Sequence, residues 1–481
     1  MTLFIAASAT AAVPGAHLTY SFGFATRHAS LCNEFLTLWT GTPLEMPELG
    51  PRVGFLRQRS NARAAARLID DLGAEIERLP EGEPERRVWR ETIRERLQQF
   101  GHERLGWPEG YRRLLFADAF YESSIAFTRE ARAFNPRFTL EQLGQALRNV
   151  WIGNSLQMLL DRPVELRPGL FAYSVLYPVT DNWLDDPDVS SDRKRSFNER
   201  VGKRLAGLPV RAADDRDMAV CRLVDRIEQE FPRGDFPSVY ASLLAIHAGQ
   251  MRSLDQHGGT DLTDAELASI SFEKGGSSVL TDLHLVSLAA EPAEERFAFG
   301  YGVFLQLLDD LQDVEVDLAA GHDTLFTRAA RRGPLDHITG RIARFIDIVL
   351  ATEGLFDGPE FTDRLDLIRR NCRALLVGSV AEHPKRFSRR FRRHLARQWP
   401  VSFRAQRKLH RRAIRRWSEA QSRVDLNGRI TEWQDPWVNP EQPLGESFRI
   451  GTCPDDERAD VGEAVGVLQA RDERRSTEPR R

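Results

Sequence analysis

With 481 residues the chain is long enough for two or three average domains, or for one large helical domain with additions at its ends. Its 67 Lys+Arg against 70 Asp+Glu leave a formal charge of -3, so the overall balance points to neither nucleic acid nor an acidic surface as partner, and any electrostatic signal must be local. Four widely scattered cysteines (Cys32, Cys221, Cys372, Cys453), with no CxxC and no Cys/His cluster, argue against a disulfide framework and a zinc site, and a reducing, cytoplasmic setting is expected.

The N-terminal stretch MTLFIAASATAAVPGA is apolar and Ala-rich but lacks the positive n-region of a secretory signal. Hydrophobic periodicity is helical nearly everywhere, as in 62–79, 139–160 and 297–318, and period-2 alternation is almost absent, so the predicted class is all-α. No window offers the ~18 uninterrupted apolar residues of a membrane span. Breaks at Asn135-Pro136, Arg162-Pro163, Asp186-Pro187, Gly258-Gly259 and Arg332-Gly333-Pro334 cut helices of a length that suits a bundle around a central cavity. Four regions follow. Residues 1–135 form an N-terminal helical region without a chemical motif, and 136–350 a core that holds every suggestive cluster. Residues 351–430 form a helical region with a basic segment, and 431–481 a polar tail expected to be disordered.

The first cluster is Tyr177-Pro-Val-Thr-Asp181-Asn-Trp-Leu-Asp185-Asp186-Pro187. Asp181 and Asp185 lie one helical turn apart on one face, and Asp186 sits where Pro187 stops the helix. Three basic candidates for binding an anion come next. Arg193 follows the cluster, Arg252 lies in HAGQMRSLDQHGG beside Gln250, and Lys274 lies in SFEKGGSSVLTDL. Paired glycines after Lys274, inside an apolar helical pattern, predict a kink or a close ligand approach.

The second cluster is Gly302-Val-Phe-Leu-Gln306-Leu-Leu-Asp309-Asp310-Leu-Gln-Asp313. Asp309, Asp313 and Asp317 share one helical stripe, with Asp310 about 100° round. The preceding FAFGYGVFLQLL is apolar all round, so this helix is predicted to be buried, where uncompensated carboxylates cost several kcal/mol. Hard oxygen donors of this kind suit Mg²⁺. The plainer alternative is an ordinary acidic helix end.

The string G-x-x-x-Q-x-x-D-D-x-x-D, followed by the Gly321-His322-Asp323-Thr324 turn, resembles the second aspartate-rich motif of trans-prenyl diphosphate synthases. The first cluster is closer to the D-x-x-x-D-D pattern of squalene and phytoene synthases, and Lys274 looks like the lysine of a helix-breaking segment in prenyl synthases. The interval of about 125 residues between the clusters, as from Asp185 to Asp310, fits the same class I isoprenoid synthases. That resemblance, carried by residues 140–330, implies an all-α isoprenoid-synthase-like bundle. It further implies about three Mg²⁺ held by Asp181, Asp185, Asp186, Asp309, Asp310 and Asp313. A prenyl diphosphate would be bound by Lys274, Arg252, Arg193 and Gln306 and ionised to an allylic cation. DDLQD, in place of the Asn/Ser/Glu triad of terpene cyclases, favours chain coupling by a prenyltransferase, and the departure of the first cluster from DDxxD leaves cyclisation open. A third possibility is a non-catalytic relative of the fold.

Residues 383–418 hold 14 Lys/Arg and no acid, interleaved with Phe387, Phe391, Trp399, Phe403 and Trp417. Two readings stand side by side: a basic helical face that packs its aromatics inward and pairs with acids elsewhere, or a peripheral contact with an anionic membrane. Nucleic acid is disfavoured, because no nucleic-acid-binding fold motif accompanies the charge.

Overall fold

The computed structural model describes residues 22–426, apart from 81, 109, 112–113, 115–117, 186–188, 257–260, 357 and 359–360. Among these residues every regular element is helical. In chain order they are α1 (Phe22–Gly41), α2 (Phe55–Glu77), α3 (Glu83–Phe100), α4 (Asp118–Phe134), α5 (Leu140–Leu159), α6 (Pro168–Asp185), α7 (Ser191–Leu205), α8 (Asp215–Glu230) and α9 (Pro237–Ser253). After these come α10 (Asp264–Val286), α11 (Pro292–Gln312), α12 (Val314–Ala320), α13 (Leu325–Arg332), α14 (Asp336–Val349), α15 (Thr362–Glu382), α16 (Arg389–Arg397) and α17 (Phe403–Leu426). No described helix is long and apolar enough to cross a membrane.

Helix starts follow local chemistry. Thr139 caps α5, accepting from Gln142 N while the Gln142 side chain accepts from Thr139 N, so two otherwise orphaned donors are satisfied. Thr263 and Glu266 repeat this box at the head of α10. Pro292 opens α11, where its missing N–H costs nothing.

The centre of the molecule is α10, which packs against α9 and α11 along its length and also touches α1, α5 and α6. Its approach to α11 is set by glycine. A Cβ added at Gly302 would lie 2.1 Å from the Gly275 carbonyl oxygen, and one at Gly276 would strike the Phe299 ring at 2.5 Å. On the opposite side, Gly249 of α9 lies against the Lys274 backbone. Helix α10 is continuous through Gly275-Gly276, from Asp264 to Val286. Here the glycines supply room for neighbouring helices.

Helix α1 packs into the centre of the molecule. Phe35 and Trp39 of α1 are buried, with Phe35 stacked on Phe299 at 5.7 Å between centroids and Trp39 edge-on to Phe272 at 6.2 Å. Apolar side chains from α1, α10, α11, α14 and α15 thus form one core, and α4 to α9 build a second around Phe127, Phe171 and Phe231. The basic C-terminal segment turns its aromatics inward. Phe387 and Phe403 are buried, and Phe391 and Trp399 pack on the first core, while the Trp417 side chain lies outside the described residues. Arg412 and Arg416 of α17 pair with Asp70 and Glu77 of α2.

Candidate functional site

The acidic helix predicted to run through residue 318 stops earlier. Asp313 caps α11 with φ -92 and ψ 5, and α12 starts at the next residue. Asp309 and Asp313 are both exposed, at the open side of the site. Asp310 is buried behind them, and both its oxygens accept hydrogen bonds, from Gln306 Nε2 at 2.9 Å and from Ser271 Oγ of α10 at 3.0 Å. Gln306, expected to contact a diphosphate, donates to Asp310, and Asp310 ties α11 to α10.

The two distant clusters meet through α10. Lys274 Nζ lies 3.2 Å from Asp181 Oδ1 on α6, with both side chains largely covered. Asp309 senses the same pair. Its carboxyl is pushed up to about 6, first by desolvation and next by the Asp313 charge, with Asp181 adding a little, while Lys274 and Arg148 of α5 pull it down. Asp310 is pushed up to about 7, mainly by burial, against the hydrogen bonds from Gln306 and Ser271. Asp309 has open surface although protein crowds it closely enough to desolvate it. Water reaching it from the open side makes Asp310 the firmer proton holder of the two. Asp313 and Asp317 are also raised, chiefly by desolvation, with Arg148 and His383 opposing at Asp313 and His322 at Asp317. His383, at the end of α15, is fixed there by donating from Nε2 to Gln312 O at 2.9 Å.

Other predicted residues are placed elsewhere. Arg252 is paired with Glu273, the neighbour of Lys274, rather than with the aspartates. Arg193 is exposed on α7, with its guanidinium 5.3 Å from the Trp183 ring centroid. The Asp185 side chain and the whole of Asp186 lie outside the described residues. Sequence reasoning missed Arg148, an exposed cation inside the amphipathic pattern of α5 whose only signal was the polar pair Arg148-Asn149 between the buried Ala146 and Val150. It also missed Asp282. This carboxyl sits two turns beyond Lys274 on α10, fully buried, with Oδ1 accepting from Asn149 Nδ2 at 2.9 Å and Oδ2 without a partner among the described residues. Burial pushes it well above the usual carboxylate range.

Among the described residues no three carboxylate, imidazole or thiolate groups converge closely enough to hold a metal ion by themselves. Mg²⁺ typically takes only one or two carboxylates and completes its shell with water and phosphate oxygens. Asp181, Asp309 and Asp313 are donors of that kind, since their mutual repulsion would be relieved by a cation that arrives with a polyphosphate. Beside them, Leu176, Thr180, Leu243, Ile246 and Gln250 border a crevice of about 20 Å³ between α6, α7 and α9. It holds about one water, and a prenyl chain would require these helices to part. Compared with family models, with curated proteins and with solved structures, the chain matches none.

Proposed function

We propose that this chain is a Mg²⁺-dependent class I isoprenoid synthase that ionises an allylic prenyl diphosphate, with chain coupling by a prenyltransferase as the favoured outcome. The observation that carries the proposal is the meeting of Asp181 with Lys274 and of both with the Asp309/Asp313 pair. Acid and base from three helices are gathered at one place, whereas an ordinary acidic helix end has no reason to face a second acidic motif about 125 residues away. In this reading Asp181, Asp309 and Asp313 hold the ions, which supply Lewis-acid stabilisation of the departing diphosphate when bound. Lys274 exchanges its carboxylate partner for a phosphate oxygen, and Arg148 adds a second cation at the rim. Gln306 and Ser271 act as positioning residues by fixing Asp310.

Incubating the full chain with ten-, fifteen- and twenty-carbon allylic diphosphates, with and without Mg²⁺, tests the proposal. Pyrophosphate release that needs Mg²⁺ is expected, and the mass of the product separates coupling from cyclisation. No release from any of the three would leave a non-catalytic relative of the fold.

A further inference from the structure

The two ends of α2 carry opposite charge, and among the described residues its ion pairs are made at the acidic end. Of its C-terminal acids, Asp70 pairs with Arg412, Glu75 with Arg96 and Glu77 with Arg416, while Asp71 is exposed at the end of the arginine row. Its N-terminal half presents Arg59, Arg63 and Arg67 one turn apart, all exposed and with no ion pair among the described residues. With Leu56 and Ser60 they line an open concavity of about 400 Å³. At the same end, Phe55 is 71% and Leu56 80% exposed, the two most exposed large apolar side chains among the described residues.

Helix α17 extends this surface. Arg412 lies beside Asp70, and Arg416 beside Gly73 and Glu77, so α17 and α2 run parallel. At 100° per residue, Arg63 and Arg67 fall on one flank of the contact line of α2, and Arg404, Lys408 and Arg411 fall on the opposite-handed flank of α17. In a parallel pair those flanks lie on the same side, as the e and g positions of a coiled coil do. The α17 residues are exposed as well. The start of α2 is fixed on the chain between α16 and α17, with Val53 N donating to Arg397 O at 2.7 Å and Gln58 Nε2 to Trp399 O at 2.9 Å. The face is therefore built on packed helices.

We propose that this α2/α17 face docks on an anionic lipid surface, with the arginine rows meeting phosphate headgroups and Phe55 and Leu56 entering the headgroup layer. Charge complementarity calls for a polyanion, and the exposed apolar pair at one end favours a lipid surface over RNA, whose backbone offers nothing to bury them. The inference does not depend on the isoprenoid reading, because its readout is partitioning rather than turnover.

The test is co-sedimentation of the full chain with vesicles of phosphatidylcholine, alone or mixed with phosphatidylserine, at low and physiological salt. Binding only to the anionic vesicles, weakened by salt, is expected. Replacing Arg59, Arg63 and Arg67 together with Gln should lower partitioning about a hundredfold, near fivefold per arginine. The double change Phe55→Ser, Leu56→Ser should lower it about tenfold or more at unchanged net charge. All five positions are exposed, so circular dichroism should remain that of the parent. Equal binding to both vesicle types, no binding to either, or retention on single-stranded RNA without vesicle binding would each overturn the proposal. So would a Phe55→Ser, Leu56→Ser protein that partitions like the parent.

Discussion

At the scale of single residues, the site is organised by which carboxylates keep their protons. Among the described residues Asp282 has Asn149 as its donor, and burial raises its folded-state pKa above the unfolded one, where a carboxyl titrates near 4. A group raised in this way contributes stability that is complete below about pH 4 and is lost as pH rises toward the folded value. Asp309 and Asp310, at about 6 and about 7, act in the same direction. These three carboxyls should lower the melting temperature of the ligand-free protein as pH rises from about 4 to 7, opposed by His28 and by His247, which burial holds down, the latter to about 4. Asp282→Asn should flatten that slope, and melting curves across pH would show it. Under the proposed chemistry, Asp309→Asn and Asp181→Asn should each cut pyrophosphate release by roughly a thousandfold at unchanged circular dichroism. Lys274→Ala should both slow release and weaken inhibition by pyrophosphate, because a cation acts on ground state and transition state alike. An unaltered inhibition constant would move the anion-binding role to Arg148.

Among the elements, α10 and α11 show how glycines flagged by local pattern are used for close helix approach. Local pattern marks Gly275-Gly276 as a helix weakness, yet what decides is the neighbouring carbonyl of Gly302, which no local pattern contains. Gly302→Ala should destabilise the fold by about 3 kcal/mol, since its Cβ would meet backbone that cannot rotate away, measured as a lowered urea midpoint at constant m-value. The helices were legible in the sequence because their apolar residues recur at helical spacing and because Gly and Pro mark their breaks. The Asp181 and Asp309/Asp313 motifs were legible for a similar reason, as carboxylates one turn apart need no tertiary knowledge to be placed on one face. What joins them was harder to see. Arg148 carries no motif, and nothing in Arg252 announces Glu273 as its partner.

For the molecule as a whole, α1 belongs to the same core as α11, which carries the Asp309/Asp313 motif, although residues 1–135 hold no chemical signature of their own. Trp39→Ala should accordingly destabilise the entire protein, by about 3–5 kcal/mol, and not only its N-terminal region. Ligand linkage operates at this scale too. With no preformed three-ligand metal group among the described residues, Mg²⁺ alone should shift the melting temperature little, and Mg²⁺ with pyrophosphate much more. A ligand pair present at a hundred times its dissociation constant would add about 2.7 kcal/mol. A large shift with Mg²⁺ alone would point to a preassembled metal site.

The central position of α10 also has a kinetic consequence. A helix enclosed by α1, α5, α6, α9 and α11 cannot expose its amides by fraying or by the opening of one neighbour. Its amide protons should exchange with deuterium only when the entire chain unfolds, so the peptide containing Lys274 should be among the last to gain mass. The lysine poised against Asp181 thus stands on the slowest-breathing part of the molecule. Any swap of its counter-ion has to be made by the arriving anion and the surrounding side chains, with the backbone beneath them standing still.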